Sequence, residues 1–349
     1  MTEGLTTPGG GWHRTGGEDV TGPRTRRRGG GGGGWGSGGR EASMVGRAEF
    51  TSYYGRPILK KPTWKTPEVP LYLFLGGAGG VSAGLGALAE FTGRPKLARN
   101  AQLVASGGAL ASVGLLIVDL GRPERFLHML RVFKPTSPLS VGSYILSPFS
   151  ALTTAAAGLR LLGWFPPLRK LAAAGAAVFG GPMTTYTAVL LSNTSVPSWH
   201  EAHEAMPFLF AGSAMAAGGG ITMALTPVDE AGPARRVALI GAAVELAAAQ
   251  RVEHGHGVVD EPFHEGRPGM LLKAAKACTA GGLGLGLLGG RSRVAAVLSG
   301  ALLAAGSALT RFGVFEAGVK STEDPKYVVV PQRERLAARE SGHAPAITR

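Results

Sequence analysis

The sequence is poor in cysteine, and its histidines avoid the long apolar stretches. Cys278 is the one cysteine among 349 residues. A single cysteine excludes an internal disulfide, and it is too few to hold an iron–sulfur cluster, since such clusters are generally bound by four thiolates. None of the eight histidines lies in the middle of an apolar run, which argues against a haem held between two helices. No spacing of histidine, cysteine and carboxylate residues completes a recognisable zinc site.

Charged residues are also scarce, and they cluster between apolar segments. They make up 17% of the chain, against 44% for apolar residues, a pattern typical of membrane proteins. The formal net charge of +13 raises the question of nucleic-acid binding. Much of that charge, however, lies in short turns and in a Gly/Arg-rich N-terminus, so we expect no nucleic-acid partner.

The two ends of the chain differ from its apolar middle. Residues 1–43 contain arginine and glycine runs, and this composition predicts a disordered tail. No apolar segment follows the arginine run, which excludes a twin-arginine signal. We also hypothesise that Met44 is the true first residue of the protein. Residues 44–68 are basic and aromatic, which favours an interfacial segment at the membrane surface, and residues 314–349 are predicted to form a polar tail.

Eight apolar runs approach the ~20 residues that span a membrane. They cover residues 69–91, 99–120, 139–162, 169–192, 204–226, 234–253, 271–290 and 292–313. Backbone groups in lipid must be bonded internally, and the short alternating strands of a barrel are absent from the sequence, so the runs predict an all-α integral membrane domain over 69–313. The sixth run carries Glu245 and Arg251, and the last two runs are separated only by residues 291–293, so seven or nine spans remain open.

The turns after the first, third, fifth and seventh runs are rich in arginine and lysine. The positive-inside rule places such turns in the cytoplasm. Both termini are then expected on the outer face, although the basic segment 44–68 and the arginines 122 and 125 favour the reverse.

Unusual polar and aromatic residues converge on the side of the membrane where the first run starts. They include Glu68, Tyr72, Asp119, Arg122, His128, Tyr186, Trp199, His200 and His203. Asp119 and Arg122 lie three residues apart, so they either pair as a cap on the second helix or contact a ligand directly. Glu245 lies in mid-helix, where a carboxylate often marks a proton or ion route. Glu90, on the opposite side, either reaches the headgroups or belongs to such a route.

Four motifs carry a resemblance to a known family. They are Asp119-Leu-Gly-Arg-Pro123, Ser137-Pro-Leu-Ser-Val-Gly142, Tyr186-Thr-Ala-Val-Leu-Leu-Ser192 and Val196-Pro-Ser-Trp199. Together they resemble the NrfD/PsrC family of polysulfide-reductase-type membrane subunits, over residues 60–330. The resemblance implies eight helices arranged as two four-helix bundles. It also implies a membrane anchor of a molybdopterin or tungsten oxidoreductase in the plasma membrane, similar to the anchors of formate dehydrogenase or polysulfide reductase.

The resemblance further implies the cofactors and partners. A ferredoxin-like iron–sulfur subunit docks on one face, a molybdopterin subunit carries out catalysis, and menaquinone or ubiquinone binds near the docked face. The anchor itself holds no haem, no metal and no catalytic residue. On this chain, the residues expected to bind quinone are Tyr72, Asp119, Arg122, Tyr186 and Glu68. Those expected on a proton path are Glu245, Glu90 and His128, and those expected to dock the partner are Arg125, Trp199, His200 and His203.

One alternative belongs to a different functional class. The same apolar helices and buried acids also suit a proton- or ion-translocating subunit, or a transporter without quinone chemistry. The clustering of the acids at one end of the helices favours an interfacial quinone site, because transporters generally gather polar groups near the midplane.

Overall fold

A computed structural model describes residues 58–122 and 124–341, and every regular element within them is a helix. The predictions for residues 1–43 and for residues 44–57 of the interfacial segment lie outside the described residues. The helices are α1 (Glu68–Phe91), α2 (Pro95–Leu120), α3 (Glu124–Met129), α4 (Pro138–Leu162), α5 (Pro166–Ser192), α6 (Pro197–Glu201), α7 (Met206–Leu225), α8 (Gly232–Glu253), a 3-10 turn (Gly257–Asp260), α9 (Glu261–His264), α10 (Gly266–Leu288), α11 (Arg293–Ser321) and α12 (Lys326–Glu340).

The eight long helices coincide with the eight predicted runs. Seven of them in the described part of the chain are long and apolar enough to cross a membrane: α1, α2, α4, α5, α7, α10 and α11. The other, α8, has 22 residues and is therefore about 33 Å long, but it carries Arg235 and Arg236 near its start and Glu253 at its end. The predicted all-α, multi-pass membrane fold is confirmed.

Proline and glycine mark the ends of the helices. Proline lies in the first turn of α2, α4, α5, α7 and α8, where its missing N–H has no intrahelical partner to lose. Gly121 and Gly163 end α2 and α4 with φ of 72° and 69°, a left-handed conformation that other residues rarely adopt. The chain therefore leaves each helix at a defined residue, which fixes the turn that follows α2.

The long helices form two four-helix bundles. The first contains α1, α2, α4 and α5, the second contains α7, α8, α10 and α11, and α7 and α11 pack against α1 to join them. Glycine allows the backbones to approach closely: a Cβ at Gly80 would lie 2.5 Å from the carbonyl oxygen of Gly180, and one at Gly220 would lie 3.2 Å from the Cα of Gly300. Close approach of this kind is how helices pack in lipid, where no hydrophobic effect drives them together.

The short elements gather at one end of the bundles. We call this end the α1-start side, because α1 begins there and α2 ends there. It holds α3, α6, the 3-10 turn, α9 and α12, whereas the described residues at the other end form only short turns. Helix α11 continues to Ser321, beyond the predicted end of the last span at residue 313, and α12 packs on α6 and on the 3-10 turn. The α1-start side thus carries nearly all of the described helical structure outside the spans.

Candidate functional site

A cavity opens in the first bundle on the α1-start side, between α1, α2, α4 and α5. It encloses about 620 Å³ of empty space, including its mouth. Leucine is the commonest residue in its walls, and four residues predicted for quinone binding also line it: Glu68, Tyr72, Asp119 and Tyr186. We call it the first-bundle cavity. The topology brings these residues together, since the starts of α1 and α4 meet the ends of α2 and α5.

Two polar atoms in this cavity are buried without a partner. The hydroxyl of Tyr186 and Oε2 of Glu68 are buried, and neither has a hydrogen bond to another described residue. A buried polar group without a partner costs roughly 1–3 kcal/mol, so such atoms usually bond to a ligand or to water. Both atoms belong to residues that line the same cavity, and a ligand there would satisfy them.

The rings of two tyrosines shape the cavity. Tyr72 follows Glu68 by one helical turn and therefore shares its face of α1. Tyr186 packs directly on Gly142 of α4, where a Cβ would overlap its ring. Gly142 and Tyr186 belong to two of the sequence motifs, and their contact explains why glycine stands at position 142. Phenol groups thus enter the cavity from α1 and α5.

Asp119 holds the mouth of the cavity together. It lies in the last turn of α2, and its Oδ1 accepts a hydrogen bond from the backbone N–H of Lys65, at 3.2 Å. This bond fixes the segment before α1, which brings Trp64 to the cavity. The Trp64 ring stacks on that of Trp199, with centroids 5.8 Å apart. Asp119 therefore has a structural contact as well as access to the cavity.

Arg122 lies outside the cavity, and within the described residues it forms no ion pair with Asp119. The spacing of three residues brings side chains together only on a continuing helix, but α2 ends at Leu120 and Gly121 turns the chain away. Arg122 is exposed. The guanidinium that meets this helix end belongs to Arg125, whose Nη1 donates to the carbonyl of Leu120 at 3.1 Å.

The residues predicted for partner docking divide into two groups. Arg125, His200 and His203 are exposed on the α1-start side, and the two histidine rings stack with centroids 5.9 Å apart. Trp199 is fully buried, and its Nε1 donates to the carbonyl of Val314 at 2.8 Å. Its place on a docking surface is therefore wrong: the indole N–H finds its partner inside the fold, where the ring fills the space beside α11.

Glu245 lies in the second bundle and is buried. It accepts hydrogen bonds from Thr310, at 2.7 Å, and from Thr279, at 3.4 Å. It lines a second cavity of about 330 Å³ together with Glu253 and Lys276, which form an ion pair at 2.6 Å. This group of residues, which we call the second-bundle cluster, gathers polar groups from α8, α10 and α11.

Sequence reasoning missed Arg311 of α11. It is fully buried, and its Nη2 donates to the backbone carbonyl of Phe210 at 2.8 Å. The central carbon of its guanidinium lies 3.7 Å from the centroid of the Phe210 ring. Its Nε and Nη1 have no hydrogen-bond partner among the described residues. The available signal was an arginine inside a predicted span, which seldom occurs without a buried role.

The other two residues predicted for a proton path lie apart from Glu245. Glu90 is at the opposite end of α1, paired with Arg160 and Arg169. His128 is exposed on α3. No hydrogen bond within the described residues joins these three groups to one another, so the structure does not bring them into one path.

An ion pair attaches α12 to the α1-start side. Lys326 Nζ lies 2.5 Å from Oε2 of Glu261, which also accepts from the hydroxyl of Tyr327 at 3.2 Å. The hydrogen bond from Lys326 holds the pKa of Glu261 below its ordinary value, and the same bond raises the pKa of Lys326. The two shifts widen the pH range over which both groups are charged and paired.

The chemistry of the described residues favours an apolar ligand over a metal ion. Among them, no group of three or more histidine, cysteine, aspartate or glutamate residues is placed to hold a metal ion. The first-bundle cavity instead combines apolar walls with phenol and carboxyl groups. Such a site suits an apolar ligand that carries a few hydrogen-bonding atoms.

Comparison with known proteins identifies the family. The family model described as "Polysulphide reductase, NrfD" matches residues 59–233, just over half of the chain. The match covers α1 to α7 and therefore every residue of the first-bundle cavity. No curated protein matches the sequence. Members of the family are generally membrane anchors of oxidoreductase complexes. The chain belongs to the NrfD polysulphide reductase family.

Proposed function

We propose that this chain exchanges electrons between a docked iron–sulfur subunit and menaquinone or ubiquinone, and that the quinone binds in the first-bundle cavity. One observation carries the proposal: the Tyr186 hydroxyl and Oε2 of the Glu68 carboxyl group are buried without partners among the described residues, and both residues line the same largely apolar cavity. A quinone has an apolar ring and tail and two carbonyl oxygens, so it fits both the walls and the polar atoms.

The chemistry assigns a task to each polar residue. Converting a quinone to its quinol takes up two electrons and two protons, and the reverse reaction releases them. The iron–sulfur clusters of the partner supply or accept the electrons. In this chain, the hydroxyls of Tyr72 and Tyr186 donate hydrogen bonds to carbonyl oxygens. Glu68 and Asp119 exchange protons, because a carboxyl group near its reacting partner is an effective general acid and base.

The partner docks on the α1-start side in this proposal. Trp64 lines the first-bundle cavity and also a surface depression formed with Lys60 and Lys61. Trp64 is therefore shared by the proposed quinone site and that surface. His200 and His203 lie on the same side. We place the whole complex, including a molybdopterin subunit of the formate dehydrogenase or polysulfide reductase kind, in the plasma membrane.

Quinone turnover by the purified complex tests the proposal. Tyr186→Phe and Glu68→Gln each remove one of the unpartnered groups while keeping nearly the same shape. We expect each to reduce turnover by at least about tenfold, the effect of losing one buried hydrogen bond of roughly 1.5 kcal/mol. Tyr144→Phe is the matched control, since its hydroxyl donates to the carbonyl of Leu130 outside the cavity. Full turnover in both cavity variants would disprove the proposal.

A second candidate function is proton or ion translocation through the second bundle. The observation that favours it is that the buried carboxylate of Glu245 interacts electrostatically with the buried guanidinium of Arg311. Nε and Nη1 of this arginine have no hydrogen-bond partner among the described residues. In vesicles containing the complex, Glu245→Gln should abolish quinone-coupled proton movement while quinone turnover continues. Glu316→Gln is the control, because Glu316 pairs with Arg267 away from the cluster. Unchanged proton movement in Glu245→Gln would exclude this route.

A further inference from the structure

A basic cavity lies at the end of the first bundle opposite the α1-start side. It is open to the surface and contains about 330 Å³ of empty space, including its mouth, between the end of α1, the start of α2, the end of α4 and the start of α5. Its charged lining consists of Arg94, Arg160, Arg169 and Glu90. Three guanidinium groups face one carboxylate, so the lining carries two net positive charges. We call it the arginine cavity.

Glu90 fixes the geometry of two of these arginines. Its carboxylate is 3% exposed and contacts Nη2 of Arg160, and its Oε1 accepts from Nε and Nη2 of Arg169 at 3.1 and 2.9 Å. Gln102 adds two bonds: its Oε1 accepts from Nε of Arg160 at 2.6 Å, and its Nε2 donates to Oε2 of Glu90 at 3.3 Å. The guanidinium groups are therefore held in place before any ligand arrives, which lowers the entropic cost of binding.

Donors remain after these bonds are counted. Nη1 of Arg160 and Nη1 of Arg169 make no hydrogen bond to another described residue. Arg94 donates to the hydroxyl of Thr92 at 2.9 Å and has no acidic partner in the described part of the chain. The amides at the start of α2 do not contribute, because Lys96 N and Leu97 N already donate to Glu230. The free positive charge thus belongs to the arginine side chains, which match an oxyanion with several acceptor oxygens.

The surroundings of the arginine cavity indicate the source of that anion. Phe91 follows Glu90 directly, and Trp164 and Phe165 lie in the α4–α5 turn; their exposed fractions are 62%, 57% and 66%. Aromatic side chains at the end of a spanning helix lie at the level of the lipid headgroups. Basic pockets between spanning helices are a recognised way of holding anionic headgroups.

We propose that the arginine cavity binds the phosphodiester headgroup of an anionic phospholipid. The arginines bind the phosphate, and the acyl chains lie along the exposed apolar surface of α4 and α5. The lipid links α1, α2, α4 and α5 at this end of the bundle. This site is separate from the first-bundle cavity and does not depend on quinone chemistry.

Native mass spectrometry of the full-length protein in detergent tests this inference. Phosphatidylglycerol and phosphatidylcholine with the same acyl chains are titrated separately, and inorganic phosphate is added as a competitor. We expect phosphatidylglycerol to bind preferentially and millimolar phosphate to leave it bound. Equal binding of the two lipids would overturn the proposal. Displacement by phosphate alone would instead indicate a small-anion site and would also overturn it.

Two matched variants test whether phosphatidylglycerol binds in the arginine cavity. Arg94→Gln removes a cation that has no acidic partner and so leaves the buried Glu90 bonds intact, and we expect it to weaken phosphatidylglycerol binding about fivefold. Arg99→Gln is the control, because Arg99 lies five residues further along the chain, exposed in the first turns of α2, and does not line the cavity. Equal affinity in the two variants would disprove the site, and size-exclusion profiles establish that both remain folded.

Discussion

The ring of Tyr186 packs against the backbone of Gly142, with no room for a side chain at position 142. This contact joins α5 to α4 at the wall of the first-bundle cavity. It links two of the motifs that define the resemblance, one at the start of α4 and the other at the end of α5. The position of the tyrosine ring thus requires glycine at position 142.

Gly142→Ala should displace the Tyr186 ring and impair quinone turnover. Forcing an extra methyl group into a packed interior costs about 1–3 kcal/mol. We therefore expect the turnover rate to fall, or the KM for quinone to rise, by about fivefold to a hundredfold. Steady-state kinetics of the purified complex measure this. The control is Gly158→Ala on the same helix, where a Cβ would meet nothing within 4 Å. If both variants behave alike, the ring is not positioned by this contact.

Asp119 and Arg122 should respond differently to mutation, although they are neighbours in one motif. Asp119→Ala removes the bond to Lys65 N and one wall residue of the cavity, so quinone turnover should fall at least about tenfold. Arg122→Ala changes an exposed side chain outside the cavity, so its quinone turnover should stay within about twofold of the wild-type value. A tenfold loss in Arg122→Ala would show that this arginine acts on the quinone after all.

Trp199→Ala should destabilise the protein through packing rather than through docking. The ring is fully buried, stacks on Trp64 and bonds to Val314, so its loss is expected to cost about 3–5 kcal/mol. The Tm of the purified protein should fall by at least about 5 °C. Trp164→Ala is the control, since that ring is 57% exposed in the α4–α5 turn. An unchanged Tm in Trp199→Ala would contradict the buried role.

Hydrophobic runs predicted the spans because each helix in lipid must satisfy its own backbone. The same reasoning brought Glu68, Tyr72, Asp119 and Tyr186 to one side, since alternate helices begin and end there. It failed for Arg122, because the exact residue at which a helix ends depends on a local conformation, here the positive φ of Gly121. It failed for Trp199, because an aromatic residue in a turn has the same sequence signature whether the turn is exposed or folded inward.

The sequence does not show which side chains contact one another between helices of a bundle. Glu245 stood out as an acid in an apolar run, but nothing in the sequence joined it to Thr310, which lies 65 residues away. Arg311 was overlooked because it lies near the predicted end of a span, where arginine commonly reaches the headgroups. The structure extends α11 to Ser321, and that extension places Arg311 inside.

The attachment of α12 should depend on pH through Glu261 and Lys326. The folded-state pKa of Glu261 lies below its ordinary value of 4.5, so its stabilising contribution is complete above that value and is lost as the pH falls through the folded-state pKa. The pKa of Lys326 is raised, so its contribution is complete below its ordinary value of 10.5 and is lost only as the pH rises through the higher folded-state pKa.

Hydrogen-exchange protection factors of the α12 amides, which correct for the intrinsic pH dependence of exchange, measure this attachment. The pair is partly exposed and is therefore worth at most about 1 kcal/mol, so protection should fall no more than about fivefold between pH 7 and pH 3. Glu261→Gln should reduce this pH dependence, and the part that remains is assigned to Glu201, which pairs with Arg335 of α12 at 3.2 Å. Glu265→Gln should keep it, because Glu265 pairs with Lys320 of α11 rather than with α12. Equal pH profiles for the wild type and Glu261→Gln would show that another group attaches α12.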